Sequence, residues 1–337
     1  MLHPCRSRQR GRPLNSGPDL SSLLQPIRPQ LDGVETLLGA MLNRAEDPIR
    51  TALAPLLEGG KRLRPAVVLL VANLFGRESA PFERLAAALE MLHTATLVHD
   101  DVIDQARLRR GHLTLHTTWA TGPAVLAGDY LLAEAVSMTA ALGIPRLVQV
   151  LADALRAMCA GEIKQSLQRE PRTDLRQAYY ETIQAKSASL FAATAEMAGL
   201  LAEAAEAQVT SLRTFGWELG MAFQMVDDML DLTAASTELG KEPGADLRQG
   251  LITLPVLVYL EMADDTTAVR SVLDGQRDAE HLSAAIHAVL GSGAMEAASE
   301  EACAHVARAR AALCALPDNR WRRRLEDLLA FVVQRRS

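Results

Sequence analysis

The sequence predicts an all-α fold, a single large helical bundle around a central cavity. Three observations carry that prediction. The 337-residue chain is 49% hydrophobic but only 4% aromatic. Strands favour aromatic and β-branched side chains, whereas the Ala and Leu that dominate here are strong helix formers. Apolar residues recur at helical spacing over long stretches. No Gly-rich phosphate loop follows a strand and no strand–helix alternation appears, which argues against a nucleotide-binding α/β fold.

The elements follow in order. Residues 1–18 are rich in Arg, lack an acid and are interrupted by Pro4, Pro13 and Pro18. They read as a disordered leader, with one domain expected over 19–337. Residues 19–58 hold one or two helices, on which Leu31, Val34, Leu37, Leu38, Met41 and Leu42 keep helical spacing. Gly59-Gly60-Lys61-Arg62-Leu63-Arg64-Pro65 breaks the pattern. Pro65 suits the first turn of a helix over 66–75 that is apolar on nearly all sides, and therefore central. A loop from Gly76 to Pro81 precedes a long helix over 82–104. A basic connection follows, with Arg107, Arg109, Arg110, Gly111 and His112. Further helices are expected over 123–141, 145–166, 175–199 and 205–231, with a polar connection at 168–174. Residues 232–250 lose periodicity around Gly240, Pro243, Gly244 and Gly250, and read as a mobile loop beside a site. Helices resume near 252, with loops at 272–281 and 315–320 and a last helix over 321–334.

A formal net charge of -6 argues against a general nucleic-acid-binding surface, although a local basic pocket remains compatible with it. No apolar run is long and uninterrupted enough to span a membrane, and the basic start lacks the apolar core of a secretory signal. Cys5, Cys159, Cys303 and Cys314 have no paired metal spacing and read as reduced thiols. A cytoplasmic protein is the expectation.

Chemistry concentrates in two acidic clusters. Asp100-Asp101-Val102-Ile103-Asp104 ends one apolar helix, and Asp227-Asp228-Met229-Leu230-Asp231 ends another. Residues four apart share a helix face, so Asp100 pairs with Asp104 and Asp227 with Asp231. Like charges so placed usually need a cation or a basic partner. Four carboxylates are hard oxygen ligands suited to Mg²⁺, which keeps waters and bridges substrate phosphates. Zinc would recruit His or Cys, and di-iron bundles use Glu-x-x-His pairs. Lys61, Arg64, Arg109, Arg110, Lys186 and Lys241 supply the positive charge that a diphosphate would require. Taken one at a time these features have ordinary readings: a solvated helix end, a surface Arg pair, a snorkelling Lys.

In combination, order and spacing the chain resembles the trans-isoprenyl diphosphate synthases, the polyprenyl synthetase family, over about residues 25–337. The resemblance rests on Asp100 to Asp104 followed by Arg109-Arg110-Gly111; on Phe223-Gln224-Met225-Val226 before the second cluster; and on Gly59-Gly60-Lys61 with Arg64-Pro65. Gly128-Asp129-Tyr130, Gly161-Glu162 with Gln165, Lys186-Ser187, Gly240-Lys241, Asp246-Leu247 and Thr253-Leu254-Pro255 extend it. It implies an isoprenoid synthase bundle that transfers prenyl groups. Asp100, Asp104 and Asp227, with Asp231 in the outer shell, would hold three Mg²⁺ with an allylic diphosphate. Arg109, Lys186, Gln224 and Lys241 would hold that diphosphate too, with Ser187 where the family often has Thr and Asp228 as a further substrate contact. Lys61, Arg64, His93 and Arg110 would bind isopentenyl diphosphate. Leu251 stands where many members carry Lys.

In the family, bulky aromatics four or five positions before the first Asp stop the product early. Here those positions are Thr96 and Ala95, and Leu92, Met91 and Ala88 continue toward the helix start without an aromatic. One turn rises about 5.4 Å, roughly one isoprene unit, so an open floor suggests a medium- or long-chain product of about 30 to 50 carbons. A quinone side chain would be its use. A geranylgeranyl diphosphate synthase is the alternative product class. A terpene cyclase fits less well, because it would pair one Asp-rich motif with an Asn/Ser/Glu metal triad. A non-enzymatic helical scaffold or regulatory subunit would not explain two Asp clusters with ordered Lys and Arg companions. The resemblance further implies a homodimer, or, as in some long-chain members, a heterodimer of this catalytic type with a small non-catalytic subunit. The last helix, with Trp321, Leu325, Leu328, Leu329 and Val332, is expected to pack on the bundle rather than touch a membrane during product release.

Overall fold

The computed structural model describes residues 19–109, 112–167, 174–233 and 243–335. The chain enters through α1 (Leu20–Leu24), a 3₁₀ turn (Gln25–Ile27), α2 (Arg28–Arg44) and α3 (Ile49–Leu57). Residues 19–58 thus form three α-helices rather than one or two, with a cis Asp47–Pro48 bond between α2 and α3. Next come α4 (Leu63–Leu74) and α5 (Ser79–Ile103). The expected basic connection contains an antiparallel hairpin, β1 (Leu108–Arg109) and β2 (His112–Leu113), in which Leu108 faces Leu113.

The chain continues through α6 (Leu115–Trp119), α7 (Thr121–Ala140), α8 (Pro145–Leu167) and α9 (Leu175–Ile183). A π-helical turn, Gln184–Ala188, joins α9 to α10 (Ser189–Leu201). The stretch expected as one helix over 175–199 is therefore wound in two registers. α11 (Glu206–Thr233), α12 (Ala245–Gln249), α13 (Leu254–Met262), α14 (Thr267–Leu273), α15 (Ala279–Leu290), α16 (Ala294–Leu313) and α17 (Arg320–Gln334) complete the bundle. The short α12 falls inside the expected loop 232–250, of which 234–242 lie outside the described residues.

α4 is central, as its all-round apolarity requires: every residue from Leu63 to Ala72 is buried. It packs with α5, α10 and α2 in the larger hydrophobic cluster. A second cluster gathers α13 to α16. α11 joins the two, giving Leu212, Phe215 and Leu219 to the first and Met221, Met225 and Val226 to the second. It lies close against α10 and the π turn because Gly216 and Gly220 have no side chain. A Cβ on either would strike the backbone of Phe191 or Ala188. α17 buries Leu325, Leu328, Leu329 and Val332, so its apolar face is covered by the bundle. Among the described residues, no helix is long and apolar enough to cross a membrane.

Candidate active site

One cavity of about 1150 Å³ lies where the C-terminal turns of α5, α8 and α11 meet the π turn and the loop before α4. Its lining includes Lys61, Arg64, His93, Thr96, Asp100, Asp104, Arg109, Lys186, Ser187, Gln224, Asp227, Asp228 and Asp231. Residues drawn from widely separated parts of the sequence are thereby brought to one space. Arg110 and Lys241 lie outside the described residues. Ala95, Leu92, Met91 and Ala88, by contrast, are buried in the packed interior of α5 away from the lining, and only Thr96 of the five chain-length candidates borders the cavity. Helical geometry gives the reason: successive residues are about 100° apart, so not every position in a run can share one face.

Each acidic cluster divides its carboxylates the same way. Asp100 and Asp104 line the cavity, while Asp101 turns inward and is 5% exposed. Arg109 on β1 donates from Nε to Asp101 Oδ1 at 2.7 Å. Burial raises the pKa of Asp101, with the Arg109 guanidinium opposing that rise. In the second cluster Asp227 and Asp231 border the cavity and Asp228 is 3% exposed. Asp228 accepts from Tyr179 Oη at 2.7 Å and from Gln224 Nε2 at 2.9 Å. Gln224 accepts in turn from Ser187 Oγ at 2.6 Å. Burial pushes Asp228 up to about 7, and these two donors only partly oppose it. Asp228 is therefore a buried strut that orients Gln224 and anchors α9 to α11.

The π turn places Lys186 and Ser187 side by side on the cavity. Lys186 Nζ lies 3.2 Å from Asp100 Oδ2 and 3.9 Å from Glu162 Oε2 on α8. Burial disfavours its charge, yet Asp100, Glu162 and Asp104 together raise its pKa. Glu162 itself is raised by burial, against the pull of Lys186. Asp227 is held by Arg335, whose Nη2 is 2.8 Å from Oδ1. Burial raises the pKa of Asp227, and Arg335, Lys61 and Arg64 oppose the rise.

Arg335 is a residue that sequence reasoning missed. Its guanidinium stacks 4.0 Å from the Phe223 ring centre and donates to the Phe223 carbonyl at 2.6 Å. Arg64 stacks in the same manner, 4.3 Å from the centre of the Phe191 ring, and the two rings are 5.4 Å apart. Burial lowers the pKa of Arg64 to about 10, partly offset by Glu90 and Asp227. The buried Nε of both arginines lacks a hydrogen-bond partner among the described residues. Of the two, Arg64 lines the cavity, where a desolvated guanidinium suits an anion, whereas Arg335 is spent on Asp227 and the Phe223 carbonyl. Tyr179, Asp101 and Glu162 were also missed as participants. Tyr179 and Arg335 carry no local signal, because each acts on a partner in a distant helix.

No three His, Cys, Asp or Glu side chains converge on a ready-made metal position among the described residues. Instead Lys186 and Arg335 sit against one carboxylate of each cluster. The donor set nonetheless fits Mg²⁺: exclusively carboxylate oxygens, in a cavity with room for the waters and phosphate oxygens that this ion takes in preference to a protein cage.

The polyprenyl synthetase family model matches residues 46–289. The chain belongs to the polyprenyl synthetase family. It is 35% identical to a nonaprenyl diphosphate synthase of Mycobacterium tuberculosis, covering 92% of this chain and 93% of that protein. It is 37% identical to the heptaprenyl diphosphate synthase component 2 of Geobacillus stearothermophilus, covering 94% and 99%. The fold matches the crystal structure of a polyprenyl synthase from Caulobacter crescentus CB15 complexed with calcium and isoprenyl diphosphate. That match has a TM-score of 0.88 and 37% identity, over 96% of this chain and 100% of the other. As a polyprenyl synthetase the protein is an enzyme, a metal-dependent prenyltransferase that condenses isopentenyl diphosphate onto an allylic diphosphate. Its all-α architecture is the isoprenoid synthase bundle that the sequence predicted.

Proposed function

We propose that the enzyme repeats this condensation to a long all-trans polyprenyl diphosphate of about 30 to 50 carbons, the length of several helix turns, for a quinone side chain. The observation that carries the reading is the single cavity that both Asp clusters share with Lys61, Arg64 and Lys186, and which Thr96 borders where an aromatic would close it. Leu97, Val125, Leu155 and Met158 add apolar lining suited to a prenyl chain.

In this proposal Asp100, Asp104 and Asp227 hold Mg²⁺, three ions with the diphosphate bound, and Asp231 supports them. The bound metal supplies Lewis-acid stabilisation of the leaving diphosphate. Lys186, Arg109 and Gln224 hold the same diphosphate, and Asp228 keeps Gln224 turned toward it. Lys61, Arg64 and His93 hold the diphosphate of isopentenyl diphosphate. The allylic C–O bond breaks and its electron pair leaves on the diphosphate. The double bond of isopentenyl diphosphate then forms the new C–C bond to the allylic carbon. A proton lost from the adjacent carbon passes to the released diphosphate and restores a double bond. Pre-placed cations make the leaving group better at no cost in reorganisation during the step.

A homodimer in the cytoplasm completes the proposal.

The test is incubation of purified protein with Mg²⁺, isopentenyl diphosphate and allylic primers of several lengths, followed by sizing of the products. Products of long chain that vanish on chelation are expected, and Thr96→Phe shortens them by one or more five-carbon units. Products that stop at twenty carbons in the wild type would make the enzyme a geranylgeranyl diphosphate synthase instead.

A further inference from the structure

Lys61 and Arg64 border the cavity, but Arg62 between them does not. It turns away from the cavity and into the protein. Its backbone is left-handed, at φ 49° and ψ 35°, a conformation that side-chain-bearing residues seldom adopt. Gly59 and Gly60 earlier in this loop also have positive φ, which glycine adopts freely. Arg62 has no such freedom, and its side chain shows what holds it.

The Arg62 guanidinium reaches three neighbouring elements. Nε and Nη2 grip the Glu35 carboxylate of α2 at 2.7 and 3.0 Å. Nη1 donates to Glu90 of α5 at 2.8 Å. Nη2 also donates to the Leu57 carbonyl at the end of α3. The Arg62 carbonyl then accepts from Ala66, so the same residue caps the first turn of α4. The side chain is 11% exposed, and burial opposes its charge while Glu35 and Glu90 more than restore it. Glu90 also acts on Arg64, raising the basicity that burial lowers there.

We infer that Arg62 is a positioning residue for the isopentenyl diphosphate half of the site. Its fork, fastened to Glu35, Glu90 and Leu57, holds loop 59–64 in the left-handed path that presents Lys61 and Arg64 to one cavity. A bidentate arginine fixes orientation as well as charge. Reacting groups must be held to within a fraction of an ångström, so a residue that never meets substrate governs how well its neighbours do. The inference rests on the prenyl-transfer reading above.

Two variants and two measurements test it. Arg62→Gly removes the fork but permits the left-handed backbone, and Glu35→Gln weakens the clamp from its exposed side. Steady-state kinetics with each substrate varied separately should show the KM for isopentenyl diphosphate rising about tenfold in R62G and about threefold in E35Q. The KM for the allylic diphosphate should stay within about twofold of wild type. Calorimetric titration with isopentenyl diphosphate alone, where no turnover occurs, should show the same loss of affinity. An active wild type whose two variants show both KM values raised equally, or neither raised, overturns the positioning role and leaves the activity standing. A wild type that consumes no isopentenyl diphosphate overturns the reading of the site and this inference with it.

Discussion

The two acidic clusters share one pattern and differ in what sustains it. In each, the first and fifth carboxylates border the cavity and the second is almost wholly buried, although Asp228, unlike Asp101, still touches the lining. Behind the first cluster the buried Asp101 meets a full cation, Arg109, carried on a two-residue strand next to residues outside the described set. Behind the second, the buried Asp228 meets only neutral donors, Tyr179 and Gln224, both on helices. The first tie anchors a short hairpin to a helix end, and its guanidinium opposes the rise that burial causes. The second is a strut inside the helical core, and desolvation drives its carboxyl toward neutrality. Identical spacing in the sequence thus supports a carboxylate–guanidinium tether in one place and a junction with uncharged hydrogen-bond donors in the other.

The comparison breaks first at what the clusters share. Asp100→Ala and Asp227→Ala should each lower prenyl transfer by at least about a thousandfold, with helical content by circular dichroism unchanged. A difference of more than tenfold between the two variants would show that the clusters are not equivalent in catalysis. The buried members should then separate them. Asp101→Asn leaves Arg109 without its counter-charge and should cost about ten- to a hundredfold in kcat/KM. Asp228→Asn keeps a neutral partner for Gln224 and should cost about threefold or less.

Stability against pH sharpens the contrast. The folded-state pKa of Asp228 is raised to about 7 from an ordinary 3.8. Its contribution is therefore fully present below about pH 4, is lost as pH climbs toward 7, and is level beyond, a change on the order of a few kcal/mol. Urea titrations of chelated protein should follow that course in the wild type, and the Asp228→Asn variant should lose this part of the slope. Tyr179→Phe should give the smallest effect, a loss of about 1–2 kcal/mol measured by the same titration, because it leaves one buried acceptor of Asp228 unmet.

Much of this was legible in the sequence because it is local. The helix over 82–104 announces itself by apolar spacing, and it ends at Ile103. The four cavity-facing aspartates follow from residues four apart on a helix, and the structure brings them to one cavity with Lys61, Arg64 and Lys186. What could not be read depends on tertiary contact. Asp228 has the spacing of a substrate ligand and touches the cavity, but the hydrogen bond from Tyr179 that ties it to α9 exists only in the folded chain. Arg335 stands in a terminal Arg pair that looks like solvated charge, and only folding lays it on Phe223 and Asp227. Azimuth was the other obstacle. Of the five positions expected to form the floor, Thr96 borders the cavity, while Ala88, Met91, Leu92 and Ala95 are buried in the core beside it.

The π turn at Gln184–Ala188 has a consequence for how this enzyme can vary. It takes one more residue than an α-turn would, and so acts as a phase shift between α9 and α10. Each residue added or removed rotates the preceding helix by about 100°. A one-residue deletion within the turn could relax to regular α-helix and keep the apolar register of α10 intact. It would also swing Tyr179 away from Asp228 and carry Lys186 off Asp100. Its length is therefore constrained as tightly as the identity of Lys186 within it. Drift by insertion and deletion is closed to it, although it lies in a helix that would otherwise tolerate a shift of register.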